Sequence, residues 1–165
     1  MKACVVFDTR YGNTERIAKS VAIGLEETGI EACCAEAKGL TSDSLEQYDL
    51  ICVGAPTEWL TASKPMKQFL EGLHREVLSG KYGFAFDTKL ARPLSGSASG
   101  YIEKEFGKVG IQIIAGRESA IVYGTGNSMS SMSSMRLKDG EEQRFEGIGR
   151  EVGAALATRV GKIQV

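Results

Sequence analysis

Thr9-Arg10-Tyr11-Gly12-Asn13-Thr14 separates two stretches of different periodicity. Before it, Cys4-Val5-Val6-Phe7 is an unbroken apolar run, as in a buried strand; after it, Ile17, Val21 and Leu25 recur every fourth position, as on one face of a helix. The first N–H groups of such a helix have no carbonyl partners and carry the positive end of the helix dipole, so a strand-turn-helix junction stabilises an anion. The hydroxyls of Thr9 and Thr14 and the amide of Asn13 add donors at that point. Gly12 places no Cβ between the backbone and a phosphate, and Asn13 can cap the helix when no ligand is present. The spacing fits neither a P-loop, which needs Gly-Lys-Ser/Thr, nor a dinucleotide fingerprint with its three spaced glycines.

The 165 residues fit one domain with a substantial core, read as residues 1–165. Twenty Lys and Arg face 21 Asp and Glu; a net charge of −1 argues against a nucleic-acid partner. No apolar run reaches the roughly 18 residues of a membrane span, and Met1-Lys2 leads at once into a strand, so a cytoplasmic location is expected. Cys4, Cys33, Cys34 and Cys52 lie in apolar strand-like runs without metal-ligand spacing, which predicts buried, reduced thiols. Adjacent Cys33 and Cys34 should point to opposite faces of a strand. His74, the only histidine, sits among charged neighbours in a helical pattern and reads as a surface residue rather than a base.

Strands and helices alternate along the rest of the chain. Thr28-Gly29 closes the first helix, and Ile30 to Cys34 reads as a second strand. Asp49 to Ala55 is a nearly continuous apolar run, as expected of a parallel strand covered on both faces, and ends at Pro56. A helix is predicted from Pro65 to about Leu78, a fourth strand over Tyr82 to Asp87, and a helix over Tyr101 to Val109. Ile111 to Ile114 and Ala120 to Tyr123 read as a fifth strand broken by a turn at Gly116-Arg117. The last helix should open at Asp139, with Glu142 completing a capping box, and turn Phe145, Ile148, Val152 and Leu156 inward. This alternation predicts an α/β fold, a doubly wound five-stranded parallel sheet with helices on both faces.

Sheets of this kind bind ligands at the carboxyl ends of the strands where the strand order reverses. In the order 2-1-3-4-5, the reversal lies between the first and third strands. The loop Thr9 to Thr14 ends the first, and Pro56-Thr57-Glu58-Trp59 ends the third, so the anion-binding loop and the only tryptophan border one predicted crevice.

Val5-Val6-Phe7-Asp8-Thr9-Arg10-Tyr11-Gly12-Asn13-Thr14-Glu15, Gly54-Ala55-Pro56-Thr57-Glu58-Trp59, Met66-Lys67-Gln68-Phe69-Leu70 and Leu137-Lys138-Asp139-Gly140-Glu141 resemble, in order, segments of the flavodoxin family. The resemblance implies a flavodoxin-like fold and FMN as cofactor. Thr9, Arg10, Tyr11, Gly12, Asn13 and Thr14 would then bind its phosphate. Pro56, Thr57, Glu58, Trp59, Leu60 and Thr61 would flank the isoalloxazine, and Thr88 with Lys89, after the fourth strand, would approach ribityl or pyrimidine atoms. Trp59 would stack on the ring or sit half-buried at the sheet edge; Tyr11 would cover the ring or pack beside the loop. Leu60 occupies a place where flavodoxins often carry glycine, and a left-handed backbone there costs leucine roughly 1–2 kcal/mol.

The implied function is that of an FMN-binding redox protein, working with a redox partner protein or a small-molecule electron acceptor, with no nucleic acid and no membrane span. The alternatives are a flavodoxin-like oxidoreductase of quinone or protoporphyrinogen type and a cofactor-free interaction domain. Thr125 to Met135, rich in serine and methionine, reads as a loop, either a surface segment or an adaptable contact surface.

Overall fold

A computed structural model describes residues 1–92, 96–124 and 135–163. Most of the stretch Thr125 to Met135 therefore lies outside the described residues. The core is a parallel sheet of β1 (Lys2–Phe7), β2 (Glu31–Glu36), β3 (Leu50–Glu58), β5 (Tyr82–Leu90) and β7 (Glu118–Gly124), in the order β2-β1-β3-β5-β7. This is the expected 2-1-3-4-5 arrangement. The fifth strand is interrupted as the turn at Gly116-Arg117 implies. Short β6 (Gln112–Ile113) pairs with the start of β5, and β7 pairs with its end. Two further strands were not foreseen: β4 (Thr61–Ala62) folds back on β3, and β8 (Met135–Leu137) runs antiparallel to β7 at the sheet edge.

Period-two alternation distributes the strand side chains between two apolar cores. Ala3, Val5, Phe7, Leu50, Cys52, Phe84 and Phe86 pack with α1 (Asn13–Glu26) and α6 (Glu141–Ile163). Cys4, Val6, Ile51, Val53 and Ala85 pack on the other face, with Met66, Phe69 and Leu70 of α3 (Lys64–Glu71) and Ile102 and Phe106 of α5 (Ala98–Lys108). Central strands buried on both faces explain why their sequences are continuously apolar rather than alternating. Helices α1 and α6 approach closely through glycines. A Cβ on Gly24 would fall 2.1 Å from the Glu146 carbonyl oxygen, and one on Gly149 would fall 2.4 Å from that of Val21.

Several boundaries differ from expectation for local reasons. The helix predicted from Pro65 to Leu78 is two, α3 and α4 (Arg75–Leu78), because His74 N–H donates to Ser42 Oγ of α2 (Ser42–Leu45) at 2.7 Å instead of continuing the helical ladder. Helix α6 begins at Glu141, not Asp139. Gly140 has φ 85°, outside helical space, so no box forms, and Glu142 instead receives Nε and an amino group of Arg16 at 3.0 and 2.6 Å. Phe145, Val152 and Leu156 face inward as expected, with Ile148 partly buried. Strand β3 continues through Pro56 to Glu58; β1 has ended at that level, so a missing N–H is tolerated. Strand β5 likewise continues to Leu90, where Thr88, Lys89 and Leu90 pair with Ala120, Ile121 and Val122. Thr88 and Lys89 thus lie in the strand, not after it.

Candidate functional site

The carboxyl ends of β1, β3 and β5 enclose a cavity of about 740 Å³ at the point where the strand order reverses. Apart from Gly12 and Thr61, every residue assigned from the sequence to the cofactor site lines it. Gly12 holds the backbone turn instead: it occupies the cap position of α1 at φ 81°, and its carbonyl accepts from Arg16 N–H at 3.1 Å. Thr61 lies in β4, paired with Glu58.

On one side of the cavity, β1 delivers Thr9 and α1 starts at Asn13. The side-chain oxygen of Thr9 is buried and has no hydrogen-bond partner among the described residues. A buried hydroxyl without a partner costs free energy unless an outside group satisfies it. That orphaned oxygen, beside a helix N-terminus with neutral donors, fits the phosphate end of FMN. Asn13 is not the helix cap; it is the first helical residue, and its Nδ2 donates to the Met135 carbonyl at 2.9 Å, tying the loop to β8. The Thr14 hydroxyl, also buried, lies 2.9 Å from that of Thr88.

The facing wall is the turn between β3 and β4. Thr57 pairs with Ala62 and Glu58 with Thr61, leaving a two-residue loop of Trp59 and Leu60. Their φ values, 47° and 72°, are both left-handed, as a type I′ hairpin turn requires. Leucine therefore adopts the backbone that glycine would reach freely, and the tryptophan beside it does too. Trp59 is 95% exposed, which overturns the half-buried alternative and leaves its ring free beside the cavity. Arg10 bridges the two walls: its guanidinium lies 3.7 Å from the Glu58 carboxylate and 5.4 Å from the centre of the Tyr11 ring. Tyr11 lines the cavity and is partly exposed.

Leu90, Arg92, Val122 and Met135 also line the cavity and were missed from the sequence. Leu90 and Val122 could have been found, because each continues the alternation of Thr88 or Ala120 by one more pair. Nothing local in the sequence signals Met135, which arrives through the antiparallel β8.

The thiols lie away from this cavity. Burial raises the Cys34 thiol from 9.0 to about 11 and holds those of Cys4 and Cys52 higher still. Cys33 and Cys34 are half-buried rather than buried, against opposite cores. His74 is exposed, as expected. Among the described residues no cluster of His, Cys, Asp and Glu could hold a metal ion, and no helix is long and apolar enough to cross a membrane.

A doubly wound sheet with the Thr9–Thr14 loop facing the Trp59–Leu60 turn across its switch point places the chain in the doubly wound α/β class. Comparison with known proteins narrows the class: residues 4–112 match the family described as Flavodoxin domain. The chain belongs to the flavodoxin family. It is 30% identical over 89 residues to a flavodoxin of Clostridium saccharobutylicum, covering 53% of this chain and 56% of that protein. It is 35% identical over 109 residues to an NAD(P)H dehydrogenase (quinone) of Cupriavidus metallidurans, covering 52% and 55%. The chain thus spans about half the length of these curated relatives. A flavodoxin structure from the domain Archaea has the same fold, with a TM-score of 0.75 at 22% identity over 95% of this chain and 99% of its own.

Proposed function

We propose that this chain is a flavin-binding redox protein whose cofactor is FMN, held in the cavity at the ends of β1, β3 and β5. The observation that carries the reading is the orphaned Thr9 hydroxyl in the loop before α1, because it marks a place for an acceptor that the protein does not itself supply. The flavin, when bound, supplies the electron-transfer chemistry; the chain's own residues bind and orient it. Thr9 to Thr14 hold the phosphate with hydroxyl and backbone donors and the helix terminus. Pro56 to Thr61 flank the ring, and Thr88 with Lys89 close the side formed by β5. We read residues 1–165 as one domain, cytoplasmic, exchanging electrons with a redox partner protein or a small-molecule acceptor. Fluorescence titration of ligand-free protein tests the assignment: FMN should bind far more tightly than riboflavin, which lacks the phosphate, and equal affinities would sink it.

A second reading, a substrate-turning oxidoreductase, is favoured by one feature. Leu90, Arg92, Val122 and Met135 extend the cavity wall beyond the residues assigned to the flavin, where a small substrate would sit. The name of the Cupriavidus metallidurans relative points the same way. Steady turnover of a quinone with a nicotinamide donor would favour enzyme over carrier.

A further inference from the structure

Trp59 and Leu60 are the only non-glycine residues with positive φ among the described residues, and they are adjacent. Two side chains held in left-handed backbone persist only where the surroundings over-determine the conformation. The surroundings here are the segment leading into α5. Gly96 forms an isolated parallel bridge with Leu60, and Ser97 N–H donates to the Leu60 carbonyl at 3.3 Å. One residue further on, Ala98 N–H donates to Thr57 Oγ1 at 3.0 Å, at the other end of the same turn. The segment is itself anchored in the core. Ser97 Oγ accepts from Gly100 N–H at 3.0 Å and lies 3.2 Å from the buried Asp87 carboxylate of β5, which also accepts from Ser99 N–H at 2.9 Å.

Gly96 is where the two segments touch. A Cβ there would lie 2.2 Å from Leu60 Cα and 2.3 Å from its carbonyl oxygen, contacts that only movement of one backbone could relieve. Its own φ of 70° is left-handed as well. We propose that Gly96 is a positioning residue: it lets the start of α5 clamp the Trp59–Leu60 turn, and so fixes the aromatic wall of the cavity. The proposal rests on the flavin reading for the identity of the ligand, not for the clamp itself. Because the wall faces the ring rather than the phosphate, the clamp governs affinity for the ring that FMN and riboflavin share.

The test compares wild type, Gly96→Ala and Gly80→Ala. Gly80 is a matched control, left-handed at φ 86° with nothing within 4 Å of an added Cβ, at the opposite end of β5. Gly96→Ala should weaken FMN and riboflavin alike by roughly tenfold. Gly80→Ala should lower the thermal midpoint but leave both affinities unchanged. Wild-type affinities in Gly96→Ala, or equal losses in both variants, would overturn the proposal. Amide hydrogen exchange in the ligand-free wild type reads the clamp without any ligand or variant. Ser97 should be protected, whereas exchange at the rate of an open amide would overturn the clamp. If neither flavin binds wild type while Ser97 is protected, the cofactor reading fails and the clamp stands.

Discussion

The hydroxyls of Thr14 and Thr88 lie 2.9 Å apart in a buried contact between residues 74 positions apart in the chain. It joins the first turn of α1 to the end of β5, so one side of the cavity is braced directly against another. Thr14→Ala should therefore do two things. It should lower the stability of the ligand-free protein by about 1–2 kcal/mol, because the buried Thr88 oxygen loses its partner. It should also weaken FMN more than riboflavin. Replacing both residues by valine preserves shape and leaves no orphan, so denaturant midpoints should show the double variant to be more stable than the two single losses summed; simple additivity would mean the hydroxyls do not interact.

Trp59 contributes little to the fold, since its ring is almost wholly in solvent. Trp59→Ala should change the unfolding free energy by no more than about 0.5 kcal/mol. Flavin binding should quench the emission of this sole tryptophan, and the variant should bind FMN more weakly by about 1 kcal/mol or more through lost stacking. Unaltered tryptophan emission on adding FMN would place the ring elsewhere in the complex.

At position 60 the strained residue is leucine, and the side chain is largely exposed, so little packing is lost with it. Leu60→Gly should stabilise the protein by up to about 1 kcal/mol, the relief of left-handed strain exceeding the entropy glycine adds to the unfolded chain. Denaturant unfolding measures it. A loss of similar size would argue against the left-handed turn.

The raised thiol pKa values have a consequence for stability at alkaline pH. The Cys34 thiol ionises at 9.0 when unperturbed and about 11 in the fold, so above pH 9.0 the unfolded chain releases a proton that the folded one keeps. Its contribution is fully present below pH 9.0 and is lost as pH rises towards 11. Urea midpoints should fall between those values, and Cys34→Ala should flatten the decline. An unchanged pH profile in the variant would assign the decline to other groups.

The central strands and the position of the cavity were legible because their causes are local or topological. Burial on both faces writes continuous apolar runs into β1 and β3, and the alternation of strands and helices is enough to locate the order reversal. The Trp59–Leu60 hairpin was not legible, since such turns are signalled by Asn-Gly or Gly-rich pairs and this one is held from outside by Gly96 and Ser97. The role of Asn13 was misread for a related reason. Asparagine at a helix start ordinarily caps it through its side-chain oxygen, but left-handed Gly12 takes the cap position, and Asn13, one residue later, donates its Nδ2 to the Met135 carbonyl 122 positions away. The start of α6 was missed because a glycine suited to left-handed backbone stood where the helical pattern had been extended through it.

The close seating of α1 against α6 bears on how the chain emerges from synthesis. Ile17, Val21 and Leu25 find part of their cover in Phe145, Val152 and Leu156, residues made only after β1, β3 and β5. A growing chain that already contains the Thr9–Thr14 loop and strands β1, β3 and β5 must hold an apolar helix face open until then, a window in which association with other chains competes with folding.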